Sequence, residues 1–401
     1  MRAALFPILG LVLLLNACAK PPAPSAPKPT LKKPVPSKAD VRMRTFAGLE
    51  GWGDDQHGFA LKAFQKSCAK LMTLPEGRSL AVNGAVPSGK VKDWKQVCGA
   101  AASLSTQDHA TAKHFFETWF VPYEVSDPSA KEGLFTGYYE PELNGSWQQG
   151  GVYQTPLLSR PDDLVSINLG TFDKDLGGNT IWGRVMDGRL RPYPKRLAIE
   201  NGDLGDLAQP IMWVDSAVDA FFLHIQGSGQ VKMKNGQITR VGFAGKNGQT
   251  YKSVGRILID SGEIPANRLT MDAIRNWVDT RPIEGPKLLQ KNPSYVFFRV
   301  LTGDGPIGAQ GVALTPGRSL AIDRRFVSLG VPLWLQTRDP LNVNTPLHRL
   351  MVAQDTGGAI KGVVRGDIFF GAGERATKRA GNMKRPGRYF ILLPHTVSPL
   401  S

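Results

Sequence analysis

Apolar positions recur at helical spacing early in the chain and give way to strand-like alternation after about residue 133. Residues 56 to 73, QHGFALKAFQKSCAKLMT, put Phe59, Leu61, Phe64, Cys68 and Leu71 on roughly one helical face. A second helix is predicted near 93–104. A third follows Ser105 as N-cap and carries Phe115, Phe116, Trp119 and Phe120. From 133, GLFTGYYEPELNGSW reads as a strand leading into a loop. Val231 and Met233, the turn pair Asn235-Gly236 and Ile238 then read as a hairpin with a tight turn. Helices are expected near 252–261, stopped by Gly262, and after the cap Thr270, with Ile274, Trp277 and Val278 inward. YVFFRVL (295–301) resumes strand character, and the rest to about 394 reads as short strands and turns. The pattern predicts a mainly β protein with a short helical lead-in and no internal repeat.

Composition agrees. With 44 glycines, 30 prolines and 41 % hydrophobic residues in 401, many short strands are favoured over a helical bundle, and there is length for two cores. The net charge of +15 implies an acidic partner: nucleic acid, an anionic membrane face or a polyanionic wall polymer. No basic run is interleaved with aromatics and no nucleic-acid-binding signature occurs, so nucleic acid is set aside.

The N-terminus narrows the choice. MRAALFPILGLVLLLNACAK has one early cation, an apolar run too short for a stable span and small residues before Cys18, the form of an export signal over 1–17. Leu15-Asn16-Ala17-Cys18 looks like a lipobox, which would make Cys18 a lipid anchor. Residues 18–41 then form a proline- and lysine-rich tether, whose extended reach is about 70 Å. Ala19 and Lys20 carry no aspartate retention signal, which points to the outer membrane facing the periplasm. Cys68 and Cys98 remain as a pair in a compartment that permits a disulfide. The histidines are scattered and no CxxC occurs, so neither a metal nor a cofactor is expected.

Several stretches bear on chemistry. Gly303 to Gly308 matches GxGxxG, but Pro306 and the strand-like residues after it oppose the required helix. Asp355-Thr356-Gly357-Gly358 has the Asp-Thr-Gly of aspartic proteases without a second copy. Asp367 is surrounded by Val363, Val364, Ile368, Phe369 and Phe370, which would raise its pKa and suit a general acid. It reads equally as a strand-edge aspartate paired with Arg365 or Lys361. Asp355 reads as a neighbour that tunes Asp367 or as an ordinary turn former. Tyr138, Tyr139, Gln226 and Ser228 suit a sugar-binding groove. Buried tyrosines and turn serines would explain them as well. The basic run 372–388 reads as a solvated face or a contact for an anionic polymer.

Taken together, FTGYYEP, HIQGSGQ, VGFAGKNGQTYKSVGRILIDSGEI, NPSYVFFR, AIDRRFVSLGVPLWL and AQDTGGAIKGVVRGDIFFGAG resemble the membrane-bound lytic transglycosylase A family of bacterial peptidoglycan-cleaving lipoproteins. The resemblance covers about 110–390. It implies a double-psi β-barrel built from 42–140 and 287–394, interrupted by a smaller β-domain over 141–286, with the substrate groove between them. The segment from about 300 to 394 resembles the domain named for three aspartates, here Asp323, Asp355 and Asp367. The resemblance places the catalytic acid on Asp367, supported by Asp355. Thr136, Tyr138, Tyr139, Gln226, Ser228, Gly357, Gly358 and Lys361 are its expected substrate contacts. It implies non-hydrolytic cleavage of peptidoglycan glycan strands to 1,6-anhydromuramyl ends. The alternative is a non-catalytic peptidoglycan-binding lipoprotein, and wall-synthesis or divisome partners stay unspecified.

Overall fold

The computed structural model describes residues 39–82, 85–130, 132–177, 179–303 and 305–399. The expected signal, Cys18 and all but the last residues of the tether lie outside them. Asp40–Met43, the end of the expected tether, already forms a strand against Phe120–Ser126.

Helix α1, His57–Leu71, buries Ala60, Leu61, Phe64, Cys68 and Leu71, the i, i+3, i+4 series of one face. Phe59 falls between the turns of that series and is 42 % exposed, a correction to the predicted face. Its ring instead meets the edge of His109. Helix α2, Val91–Ala102, packs against α1. Helix α3, His109–Trp119, is capped by Asp108, whose carboxylate accepts the Thr111 N–H at 2.9 Å. Ser105 is therefore not the cap; its hydroxyl accepts from Gln107 in the preceding turn. Phe120 has left the helix for an extended conformation and starts the strand Phe120–Ser126.

The sulfurs of Cys68 on α1 and Cys98 on α2 are joined, with 5.2 Å between their Cα atoms. The bridge spans 30 residues, and closing such a loop in the unfolded chain is worth about 3 kcal/mol. The double variant Cys68→Ala/Cys98→Ala is expected to unfold at lower urea by that amount. An unchanged midpoint would show that the bridge contributes nothing.

Six strands close a barrel: β1 (Gly133–Glu140), β2 (Ser319–Ile322), β3 (Pro332–Arg338), β4 (Pro346–Asp355), β5 (Arg365–Ala372) and β6 (Lys384–Pro394). Their order is β6-β3-β4-β2-β5-β1, and β6 returns to pair with β1. β6 serves three partners because it is long: Lys384 to Gly387 pair with β1, Arg388 to Ile391 with β3, and Tyr389 to Pro394 with Phe120–Ser126. Leu333, Leu335, Leu350, Val352, Leu320, Ile368 and Phe135 belong to one apolar cluster with the buried residues of α1 and α3.

β4 carries a bulge. Leu320 pairs with Ala353, but the next residue, Ala321, pairs with Asp355, so Gln354 is the extra residue. Its buried amide turns toward α1, donating to Ala63 O and Ser67 Oγ, both at 2.8 Å.

Beyond β1 the chain enters a second sheet. Its strand order is Val296–Leu301, Ile238–Lys246, Ser228–Met233, Glu142–Ser146, Pro210–Val214, Thr155–Leu158. The predicted hairpin is present, with Lys232 opposite Ile238 and Gly236 at φ 83° in the turn. Val296–Leu301 pairs with Ile238–Lys246, so the chain leaves this sheet only after 301, later than the expected boundary at 287. The helix expected near 252–261 is Val254–Asp260, capped by Ser253. Met271–Asp279 is capped by Thr270 as predicted, but Trp277 is only partly buried, its indole N–H reaching Glu263.

Among the helices not foreseen, two lie against β1. Helix α4, Ala217–Gln226, is buried on several sides, with Ala220 and Leu223 in one cluster and Val218, Phe221 and Phe222 in another, so it lacks a polar stripe. Helix α5, Glu374–Asn382, forms in the basic run and buries only Ala376 and Ala380. It lies so close to β1 that a Cβ at Gly137 would come within 3.0 Å of Ala380 Cα and 2.5 Å of Phe370.

Candidate active site

Strand register gathers the polar residues. Ala321 on β2 pairs with Asp355 of β4 on one side and with Asp367 of β5 on the other, and Asp367 pairs with Thr136 of β1. Directly paired residues point to the same face, so Asp355, Ala321, Asp367 and Thr136 form one row across four strands. Ala321, the methyl group between the two carboxylates in this row, is itself buried. Lys384 on β6 pairs with Thr136 and extends the row. Below it Tyr138, Phe369, Leu314 and Ile360 pack round Ala321 as an apolar floor.

The two carboxylates are held differently. Asp355 Oδ1 accepts the N–H groups of Ala309 at 2.8 Å and Thr356 at 2.9 Å, and Oδ2 accepts the Tyr138 hydroxyl at 2.8 Å. Burial raises its pKa and these donors oppose the rise. All three donors favour the ionised form, so they work against the burial that would keep its proton on. Tyr138 is pushed well above the usual range by burial and by the Asp355 charge, so its phenol stays protonated as the donor.

Asp367 is half-buried and has one donor among the described residues, the Thr136 hydroxyl, at 2.5 Å from Oδ1. Loss of solvation raises its pKa to about 6; Thr136 and Arg365 oppose the rise and Asp355 adds to it. Of the two acids on this face, Asp367 with one described donor thus keeps its proton to higher pH than an ordinary carboxyl, whereas three donors offset the burial of Asp355. No described residue forms an ion pair with Asp367: Arg365 donates to Thr136, Leu134 and Gly366 instead.

Comparison with known proteins follows this geometry. The family profile described as the MltA specific insert domain matches residues 134–299, and the 3D domain matches 318–393. Membrane-bound lytic murein transglycosylase A of Escherichia coli K12 is 35 % identical over 266 residues, covering 64 % of this chain and 65 % of that protein. The match thus spans just under two thirds of that relative's length. The crystal structure of a membrane-bound lytic murein transglycosylase from Agrobacterium tumefaciens superimposes with a TM-score of 0.76 at 33 % identity, covering 89 % of this chain and 98 % of that one. The chain belongs to the MltA family. MltA from Neisseria gonorrhoeae, in its monoclinic form, gives 0.76 at 32 % identity, covering 91 % and 97 %. E. coli MltA with bound chitohexaose gives 0.63 at 26 %, covering 90 % and 95 %.

Within this MltA fold the residues expected to contact substrate are not all in one place. Thr136 and Tyr138 join the row, but Tyr138 contributes its hydroxyl, since its ring is buried. The ring of Tyr139 packs on Ala376 and Ala380 of α5, and its backbone N–H donates to Gln226 Oε1 at 3.2 Å, so no open aromatic face is presented for stacking. Gln226, the last residue of α4, thus ties the second lobe to β1, with Ser228 half-buried just beyond it. Gly357 and Gly358 lie in the turn after Asp355. A Cβ on Gly357 would approach Ile360 to 2.7 Å and disturb the floor, whereas Gly358 is open. Lys361 is exposed at the end of that turn.

Asp323, the third aspartate of the MltA 3D domain, is buried away from the row, bonded to Arg325 and to the Gly362 N–H at 2.9 Å, and so anchors the return from that turn into β5. Sequence reasoning passed over Ala321 and Ala309, whose contributions are a small side chain and a backbone N–H with no signature in residue type. The described residues contain no cluster of histidine, cysteine or carboxylate fit for a metal. Two cavities lie elsewhere, the larger in the second lobe beside Arg196, His224 and Tyr295.

Proposed function

We propose that this chain is a peptidoglycan lytic transglycosylase that cleaves the β-1,4 bond between N-acetylmuramic acid and N-acetylglucosamine, with Asp367 as its single general acid and base. The observation carrying the proposal is the unequal pair: a protonatable Asp367 with one carboxyl oxygen free of donors among the described residues, beside an Asp355 saturated by three. The likeness to MltA with bound chitohexaose supports a groove for such sugars over this face.

Asp367 gives its proton to the glycosidic oxygen as the C1–O bond breaks, leaving oxocarbenium character at the muramyl C1. Its carboxylate then removes the proton of that sugar's C6 hydroxyl while O6 attacks C1, closing the 1,6-anhydro ring. When ionised, Asp355 favours the cationic transition state electrostatically. A glycosidase needs a second carboxyl as base or nucleophile. Asp355, with both oxygens occupied, is poorly placed for either task. An intramolecular nucleophile removes the need, because its positioning is built into the substrate.

Digestion of purified wall glycan is expected to give 1,6-anhydromuramyl ends by mass spectrometry, and reducing ends would assign a hydrolase instead. Since the acid must be protonated, kcat/KM should fall about tenfold per unit as pH rises beyond about 6, the value to which burial raises Asp367. A flat profile between pH 5 and 8 would remove Asp367 from the role. Glycan binding with no product over long incubation would favour a non-catalytic binding lipoprotein.

The relatives named membrane-bound are consistent with a lipid on Cys18 that anchors the chain at the outer membrane, facing the periplasm. Cys18→Ala is expected to move the protein from the membrane to the soluble periplasmic fraction; unchanged fractionation would reject the anchor.

A further inference from the structure

The hydrogen bonds around Thr136 decide more than its own placement. A threonine hydroxyl has one hydrogen to give and two lone pairs to offer. Arg365 Nη2 donates to Thr136 Oγ1 at 2.7 Å, and among the described residues the only acceptor for the hydroxyl hydrogen is Asp367 Oδ1. The guanidinium cannot turn away, because its Nη1 also donates to the carbonyls of Leu134 on β1 and Gly366 on its own strand. It is a cation that can only donate, so it holds the threonine oxygen as acceptor and polarises the O–H toward Asp367. Asp367 Oδ2, in contrast, takes no hydrogen bond from the described residues and is not a sealed, unpartnered atom.

We infer that Arg365 is a positioning residue: by fixing the Thr136 hydroxyl as a donor to Oδ1, it confines the carboxyl proton of Asp367 to Oδ2, the oxygen open to substrate. This rests on the transglycosylase reading for its catalytic meaning, but the placement of the proton does not. Without Arg365 the hydroxyl is free to rotate and accept from a proton on Oδ1, the unproductive side of the carboxyl group. The strand register supports the assignment. Arg365 and Asp367 are two apart on β5, so both point to one face, and Thr136 is the direct partner of Asp367 on β1. The charged or titratable groups facing Asp367 are Arg365 on β5, Asp355 on β4 with the Tyr138 bonded to it, and Lys384 at the end of the row on β6.

The test uses the full chain with Arg365→Met, Arg365→Lys, Thr136→Val and the double variant Thr136→Val/Arg365→Met. Arg365→Met should lower kcat about tenfold or more with KM changed less than about twofold. It should also raise the alkaline limb of the profile by about one pH unit, because a cation near the carboxylate is lost while Asp355 remains. Arg365→Lys, which restores charge without the fork, should return the limb toward the parent value while kcat stays depressed. The double variant should lose no more than the worse single one, since both act through one contact. Titration of the Asp367 carboxyl by 13C NMR reads the same shift without substrate. An unmoved titration in Arg365→Met, or fully additive losses, would overturn the inference. If the parent made no anhydro product yet the NMR shift and its rescue by lysine held, the transglycosylase reading would fail and the positioning of the proton would stand.

Discussion

Asp367→Asn is expected to lower turnover of peptidoglycan by about 10³-fold while making the protein more stable at neutral pH. The first effect follows because the amide cannot give a proton to the glycosidic oxygen, and Asp355, saturated by Tyr138, Ala309 and Thr356, has no free oxygen with which to substitute. The second follows from linkage. Asp367 titrates near 3.8 unfolded and about 6 folded, so its contribution to stability is fully present below pH 4 and is lost as pH rises through 6. Above that, keeping the carboxylate in the folded site costs on the order of 3 kcal/mol, and the amide relieves the cost while still accepting from Thr136. Urea unfolding at pH 7.5 should therefore show the variant ahead, and at pH 4 the difference should vanish. Turnover within tenfold of the parent would end the single-acid mechanism. Equal stability at both pH values would show that the site does not strain its carboxylate.

Asp55→Ala should cost about 3–5 kcal/mol of stability. Asp55 and Arg318 are both about 6 % exposed and meet in two bonds, Nη1 to Oδ2 at 2.7 Å and Nη2 to Oδ1 at 2.8 Å. Their remaining capacity is met by the Leu350 N–H and by the carbonyls of Leu350 and Gln56. Burial opposes ionisation of Asp55, but Arg318 outweighs it and holds the pKa below the ordinary range. Removing the acid leaves a guanidinium buried without its anion, which is more costly than losing the pair altogether. Asp55→Leu/Arg318→Leu should accordingly be more stable than Asp55→Ala alone. The pair pins the start of α1 to β2 and β4, and a change in urea midpoint with an unchanged m value would identify lost stability rather than a changed denatured state. A loss below about 1 kcal/mol would mean that water reaches the orphaned guanidinium.

The parts of the fold that sequence revealed are those in which one element decides its own structure. The α1 face, the Asn235-Gly236 hairpin and the Thr270 cap are local matters of spacing and turn chemistry, and they are present. Errors arose where tertiary contact overrides pattern. Phe120 continues the apolar helical run of Phe115 and Phe116, yet it serves the same cluster from a strand. Helix α5 looks like an unpartnered basic stretch because its contact with β1 is made by alanines against Gly137, and small residues leave little trace in a hydrophobic pattern. In the site, apolar company pointed to a raised pKa at Asp367, and burial does raise it. The reading could not show whether Arg365 would neutralise it, since that depends on Thr136, 231 residues away in sequence and adjacent only through the parallel pairing of β1 and β5.

The irregularity at Gln354 bears on how such a protein can be engineered. One surplus residue in β4 changes the phase of the strand, so that the amide faces inward to α1 and the following carboxylate lands beside Ala321. A redesign that idealised this strand by drawing Gln354 into the ladder opposite Ala321 would gain an uninterrupted ladder and a more regular barrel. It would also place the wrong side chain opposite Ala321 and remove the anion from the face where Asp367 waits. Sequence optimisation for rigidity alone would thus select against the chemistry, and the defect should be held fixed when the rest of the barrel is stabilised.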